Sequence, residues 1–231
     1  MKVGILECGF PPAELVPGFG TYGAMIREML GPHRDYEMFD VAAGELPDSA
    51  DTAAAYILSG SSVGVYDDLP WIPALIRFVR DARGRAGLVG ICFGHQAMAQ
   101  AFGGAVAKSP KGWGLGNQRY DIPSRSPWMD DAAHIDAPAS HQDQVVACPV
   151  GARVIASSEF TPYAGLDYGD AISFQFHPEF VPGFATGLLE SRRERFGISV
   201  DAAIASYTGK NDCARVAAWI GRFLDHRAGS K

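Results

Sequence analysis

Short apolar runs that stop at glycine or another small residue, each followed by a stretch of helical spacing, organise the first hundred residues. Lys2 to Cys8, Tyr36 to Val41, Ala54 to Leu58 and Gly87 to Ile91 read as strands. Continuous apolar runs of this kind suit a parallel sheet covered on both faces. Tyr22 to Leu30 has helical spacing between two of them. Pro70 to Arg83 puts Trp71, Leu75, Phe78 and Val79 on one helical face, with Pro70 suited to the first turn. Gly94 to Phe102 reads as a helix closed by Gly103 and Gly104.

Beyond Gly104 the pattern shortens. Leu115 to Ile122, Gln144 to Ala147, Arg153 to Ser157 and Ala171 to Phe176 are brief segments separated by Gly, Pro and Asp, and they read as antiparallel or mixed strands added to a parallel core. From Val181 onward the spacing returns to helix, with Asp201 and Asn211 as candidate caps. The expected fold class is α/β, with a mainly parallel central sheet flanked by helices and added antiparallel strands. No repeat, low-complexity stretch or linker interrupts the chain, so residues 1–231 are expected to form a single domain.

Composition narrows the functional classes. With 47% hydrophobic residues the chain can bury a sizeable core. Lys and Arg total 20 against 26 Asp and Glu, for a net charge of −6, and no basic cluster could track a phosphate backbone. No nucleic acid is expected as a partner. No run approaches the roughly 18 apolar residues of a membrane-spanning helix, so no membrane is expected either. The start of the chain reads directly as a strand rather than a leader. The four cysteines, at positions 8, 92, 148 and 213, have neither zinc-site spacing nor disulfide density, which points to the cytoplasm. His33, His95, His134, His141 and His226 lack ligand spacing, so no metal and no cofactor is expected.

Two segments carry chemistry. Leu88-Val-Gly-Ile-Cys-Phe-Gly-His-Gln96 is an apolar strand entering Gly-x-Cys-x-Gly and then a helix, the sulfur counterpart of a nucleophile elbow. A sharp turn there holds one side chain in a strained, exposed position, and the glycines on either side spare it Cβ clashes. The helix amino terminus behind Cys92 favours thiolate over thiol. The alternative for this cysteine is a buried structural residue at a helix start. In Ser173-Phe-Gln-Phe-His-Pro-Glu-Phe180 an apolar strand ends in His-x-Glu. Residues two apart in extended chain share a face, so Glu179 can hold one imidazole nitrogen of His177 while the other takes a proton from sulfur. A surface ion pair beside a turn is the alternative. Together with Cys92 the pair makes a complete catalytic set.

Four anchors in order, Leu58-Ser-Gly-Ser-Ser62, Gly90-Ile-Cys-Phe-Gly-His-Gln96, Ser140-His-Gln-Asp-Gln-Val145 and Gln175-Phe-His-Pro-Glu179, resemble the class I, or triad, glutamine amidotransferases, especially stand-alone members similar to the amidotransferase part of GMP synthase. The resemblance implies a flavodoxin-like fold and hydrolysis of the side-chain amide of glutamine, or of a related γ-glutamyl amide, through a thioester on Cys92. It also implies His177 as base and Glu179 as orienting acid. An oxyanion hole would come from backbone N–H groups of Phe93 and of the loop at Gly60 and Ser61, and substrate contacts from Gln96, Ser140, His141, Gln142 and Gln144. Where the family often has Gly-Gly-Pro, this chain has Gly60-Ser61-Ser62, and serine would strain a loop that needs positive φ. No ATP-pyrophosphatase motif accompanies the triad, so ammonia would pass to a separate synthetase or acceptor subunit, or to none.

Three alternatives stand beside this reading. The same triad could cleave γ-glutamyl peptides or amines with no acceptor. A second elbow-cysteine superfamily takes its carboxylate from the end of the first strand, where Glu7 sits, although Phe93 and the His-Pro-Glu strand end argue against it and leave Glu7 a solvated or ion-paired residue. The fold could also serve as a non-catalytic binding or regulatory module.

Overall fold

The computed structural model describes residues 1–196 and 200–229. The first part of the chain alternates strand and helix: β1 (Lys2–Glu7), α1 (Val16–Phe19), α2 (Tyr22–Leu30), β2 (Asp35–Asp40), β3 (Ala55–Leu58), α3 (Trp71–Ala82), β4 (Gly87–Ile91) and α4 (Phe93–Ala101). Strands then dominate, as β5 (Ala105–Lys108), β6 (Gly114–Asp121), β7 (His134–His141), β8 (Asp143–Ala147), β9 (Arg153–Ala156), β10 (Gly165–Asp167) and β11 (Ala171–Phe174). Among the described residues four helices follow: α5 (Pro182–Ser191), α6 (Arg193–Phe196), α7 (Val200–Ser206) and α8 (Cys213–Gly229).

Seven strands form the central sheet in the order β2-β1-β3-β4-β11-β10-β9. The first five run parallel, and β10 and β9 continue the sheet antiparallel. Period-two alternation decides what each face carries. Val3, Ile5, Ile57, Val89 and Ile172 lie in one apolar layer with Ile26 of α2 and Trp219 and Ile220 of α8. Leu6, Tyr56, Leu58 and Leu88 point the other way, onto Leu75 and Val79 of α3 and Met98 of α4. Two small antiparallel pairs, β5 with β8 and β6 with β7, sit apart from the main sheet. This is the mainly parallel α/β architecture expected from the sequence.

Several local expectations are corrected. The last strand ends at Phe174 rather than Phe176, because Gln175 N–H turns aside to donate to Ala164 O and His177 N–H to Pro138 O. β7 was hidden by its composition: Ala137, Pro138 and Ala139 give weak strand propensity, although Ile135, Ala137 and Ala139 are buried on one face. Asp201 is not a cap but lies in the first turn of α7, paired to Arg193 at 2.8 Å. Asn211 does act at a helix start, its Oδ1 accepting from Cys213 N–H at 3.2 Å.

The strands that matter for chemistry end level with one another. Leu6 pairs with Leu58, Leu58 with Gly90, and Ile91 with Phe174. The residues that follow them therefore emerge at one carboxyl edge, the usual place for a site in an open parallel sheet. Glu7 at that edge is buried, not solvated: its Oε1 accepts from Gly23 N–H at 2.8 Å at the start of α2, against the positive end of the helix. Removing the acceptor orphans a buried donor, which costs about 1–3 kcal/mol. Glu7→Ala is expected to lower the urea-unfolding free energy by that amount and Glu7→Gln by less than half as much; equal losses would contradict the capping role.

Candidate active site

Cys92 is the sole non-glycine residue at positive φ among the described residues, with φ 52° and ψ −102°. It occupies the turn between β4 and α4, its N–H donating to Phe174 O at 2.8 Å and its C=O accepting from Gln96 N–H at 3.1 Å. The flanking glycines are sterically required. A Cβ on Gly94 would stand 2.4 Å from Leu58 O, and one on Gly90 would stand 2.6 Å from Gly94 C and O. The elbow expected from the sequence is therefore present, with one difference. Cys92 is only 5% exposed, so the thiol lies at the floor of a cavity rather than on an open surface.

His177 and Glu179 come from the segment after β11, with His177 against the Cys92 sulfur and neither lining the cavity itself. They sit in a turn, with Phe180 N–H donating back to His177 O at 3.3 Å, so a bend at Pro178 brings them together rather than the pleat of a strand. His177 Nδ1 and Glu179 Oε1 are 2.7 Å apart and both side chains are buried. The imidazole stacks on Phe180 with centroids 3.9 Å apart and planes 10° from parallel, which fixes the ring plane. Burial alone would push this histidine down, but the Glu179 carboxylate and the Cys92 sulfur outweigh it and raise the imidazole to about 10.

Gly60 closes the group from the β3 side. A Cβ there would lie 3.1 Å from His177 Cε1 and 3.8 Å from Cys92 Cβ, so the Gly60 backbone rests against both. Ser61 and Ser62 do not adopt positive φ. The strain expected from serine in this loop does not arise. Phe93 is the first residue of α4, so its N–H has no intrahelical acceptor. It lies one residue from the sulfur.

Gln96 and Gln175 form an amide chain behind the thiol. Gln96 Nε2 donates to Asp143 O at 2.9 Å and to Gln175 Oε1 at 3.2 Å, and Gln175 Nε2 approaches Cys92 Sγ at 3.6 Å. Both protons of the Gln96 amide are thus used within the protein, leaving its Oε1 as the group that can face a ligand. Sequence reasoning quoted Gln175 within an anchor but gave it no role; its place two residues before His177 was the available signal.

A cavity of about 160 Å³ opens above the sulfur. Ser61, Gln96, Ser140, His141 and Gln142 line it with Cys92, while Gln144 does not. Ser140 Oγ, His141 Nε2 and Asp143 Oδ1 are buried atoms with no protein partner. Burial lowers His141 to about 4, so its ring is neutral; its Nδ1–H donates to Asp143 O at 3.1 Å, which leaves Nε2 to accept from a ligand donor. His95 is also buried and neutral, lowered by burial to about 3, but its Nδ1 faces Ser173 Oγ at 2.8 Å beneath α4 and plays a packing part. Trp71 packs against Phe93 with centroids 5.4 Å apart, whereas Tyr66 and Asp67 line the cavity. Lys108, Trp113, Arg192 and Arg195, none singled out in the sequence, complete its rim.

Comparison with known proteins places these features in context. The family described as glutamine amidotransferase class-I matches residues 33–191. A glutamine amidotransferase-like protein of Schizosaccharomyces pombe is 29% identical over 77% of this chain and 79% of its own length. Gamma-glutamyl peptidase 4 of Arabidopsis thaliana is 30% identical over 70% of this chain and 69% of its own. A GMP synthase of a Parafrankia species is 32% identical over 75% of this chain but only 32% of its own length. The crystal structure of a Thermotoga maritima glutamine amidotransferase superposes with a TM-score of 0.79 over 97% of both chains at 17% identity, which shows a common fold.

The raised His177 pKa has a signed consequence. An imidazole that titrates near 10 when folded and near 6.5 when unfolded contributes stability in full below about pH 6.5, and that contribution is lost as pH rises toward 10. The His177 ring followed by NMR is expected to remain protonated at pH 8, and Glu179→Gln to bring its titration down; a ring already neutral at pH 8 in the wild type would exclude the assignment.

Proposed function

Because the chain belongs to the class I glutamine amidotransferase family, we propose that it hydrolyses a γ-glutamyl amide, glutamine or a larger relative, with Cys92 as nucleophile, His177 as base and acid, and Glu179 as the orienting carboxylate. The observation that carries this reading is a positive-φ cysteine on the cavity floor whose sulfur is hydrogen-bonded to a buried, carboxylate-held imidazole.

The raised His177 favours an imidazolium beside a thiolate, poised for attack. Sulfur bonds to the side-chain carbonyl carbon, and the carbonyl electrons move onto oxygen. Phe93 N–H and the Gly60–Ser61 backbone are the donors assigned to that oxyanion. Collapse breaks the carbon–nitrogen bond, and the amine leaves with the proton from His177. Water then attacks the γ-glutamyl thioester while His177 takes its proton, and glutamate and the thiol are released. Glu179 keeps one ring nitrogen engaged throughout, so that the other faces the sulfur.

Gln96, Ser140, His141 and Gln142 are assigned to the α-amino and α-carboxylate ends of the substrate, supported by the unpartnered Ser140 Oγ and His141 Nε2 at the cavity wall. Gln144, buried on β8 outside the lining, is assigned only to support of the wall. The reading takes the chain as one domain, since β9 to β11 complete the sheet begun by β1 to β4. It places the protein in the cytoplasm, a compartment suited to its four free cysteines. With glutamine as substrate, a separate synthetase subunit would take the ammonia.

Cys92→Ala is expected to abolish turnover, a loss of at least about 10³-fold, and to prevent labelling by a glutamine-like α-chloroketone. Labelling that persists in Cys92→Ala would reject the nucleophile. Glu179→Gln should slow turnover by about 10²-fold or more while still allowing slow labelling, because the carboxylate orients rather than attacks. A loss of labelling as complete as in Cys92→Ala would count against that role.

A further inference from the structure

The rim of the cavity carries more positive charge than a γ-glutamyl group can use. Lys108, Arg192 and Arg195 all line it, in a chain with six more acidic than basic residues. Arg34, Arg85, Arg119, Arg153 and Arg215 are matched to carboxylates, whereas Arg80, Arg125 and Arg222 bond backbone carbonyls. Arg193, which stands between Arg192 and Arg195, pairs with both Glu190 and Asp201. Among the described residues neither neighbour has a carboxylate within ion-pair distance. Arg195 instead lies over the Trp113 ring at 4.7 Å, and Trp113 is fixed from behind by Phe196 at the same centroid distance.

The acidic side of the cavity is smaller. Asp67 is occupied by Gly64 N–H at 2.9 Å, and Asp143 keeps Oδ1 without a protein partner. A γ-glutamyl group brings one ammonium and one carboxylate. Asp143 can answer the first and one rim cation the second, which leaves two positive charges without a counter-charge, although Arg192 also meets the Tyr22 hydroxyl and Arg195 the Trp113 ring. Ammonia, the amine released from glutamine, has nothing to offer them. The thiol lies at the floor and the exposed Lys108 and Arg195 at the mouth, so anything attached to the amide nitrogen extends toward these groups.

We infer that Lys108, Trp113, Arg192 and Arg195 form a leaving-group subsite for an amine that bears a carboxylate, so that the preferred substrate is a γ-glutamyl amino acid or short γ-glutamyl peptide rather than free glutamine. This rests on the hydrolytic reading of Cys92 given above. In the acylation step the bond between sulfur and the side-chain carbonyl carbon forms and the amide carbon–nitrogen bond breaks. The amino acid departs with the His177 proton on its nitrogen and its carboxylate still held at the rim. Water completes the cycle as before, and no other co-reactant is needed. Trp113 offers a flat apolar surface to the side chain of the departing residue, and the guanidinium groups give planar two-point contacts to its carboxylate.

The test separates binding from turnover. Calorimetry on Cys92→Ala compares γ-glutamylalanine with γ-glutamylalaninamide, which differ only in the terminal charge. The acid is expected to bind about tenfold more tightly than the amide at low salt, a preference that shrinks in 0.5 M salt, on the order of the screening expected for exposed charges. Arg192→Gln and Arg195→Gln should each reduce the preference by about threefold or more. Equal affinity for the two ligands, or a preference that neither substitution moves, would overturn the subsite. In the wild type, kcat/KM for γ-glutamylalanine should exceed that for glutamine, and the reverse order would also overturn it. A preference in binding together with no turnover of any γ-glutamyl amide would instead reject the hydrolytic reading and leave the subsite standing.

Discussion

The close approach of α4 to the ends of β3 and β4 sets the position of every reactive group in this molecule. It is possible because Gly90 and Gly94 present no side chains where the helix, the turn and the Leu58 carbonyl meet. Gly94 N–H donates to Ser59 O at 3.2 Å, so the loop after β3 is hydrogen-bonded directly to the start of the helix. The sulfur, the Phe93 N–H and the Gly60 backbone thus share one backbone frame. Only the sulfur can move within it, by rotation about a single side-chain bond. β11 is tied into the same frame by the bond between Cys92 N–H and Phe174 O, and the histidine follows three residues later.

Three buried histidines near this frame show how neighbours, rather than burial, decide protonation. His95 and His141 have no carboxylate against the ring, and burial drives both down. His177 is equally buried, yet Glu179 on one side and the sulfur on the other raise it. Burial leaves the first two neutral, and the charges beside the third keep it a cation in spite of burial. Exclusion of water and the placement of one carboxylate are sufficient to produce that division of labour.

Much of this was legible in the sequence, and the unread parts have definite causes. The parallel core could be read because each of its strands is a short apolar run ended by a small residue, and α2 and β4 were expected at the bounds observed. The elbow was legible because its glycines have a steric purpose that composition alone reveals. β7 escaped because its buried positions are alanines, too small to give a hydrophobic signal. The His-Pro-Glu pair was expected to meet through strand pleating, and it meets through a turn, since backbone donors at Gln175 and His177 find partners outside the sheet. Glu7 was misread because a carboxylate at a strand end looks solvated until a helix start, remote in space from the sequence around it, is packed over it. The rim cations escaped for a related reason. Lys108 and Trp113 are remote in the chain from Arg192 and Arg195, and no local pattern joins the two segments.

The turn at Cys92 has an evolutionary side. A residue with a Cβ at φ 52° carries backbone strain of about 1–2 kcal/mol that glycine would not. Drift at this position toward glycine would make the fold more stable while erasing its nucleophile. Stability and chemistry thus pull in opposite directions at a single codon. The strain is the cost of holding a thiol at this turn, although the same side chain also packs into the core.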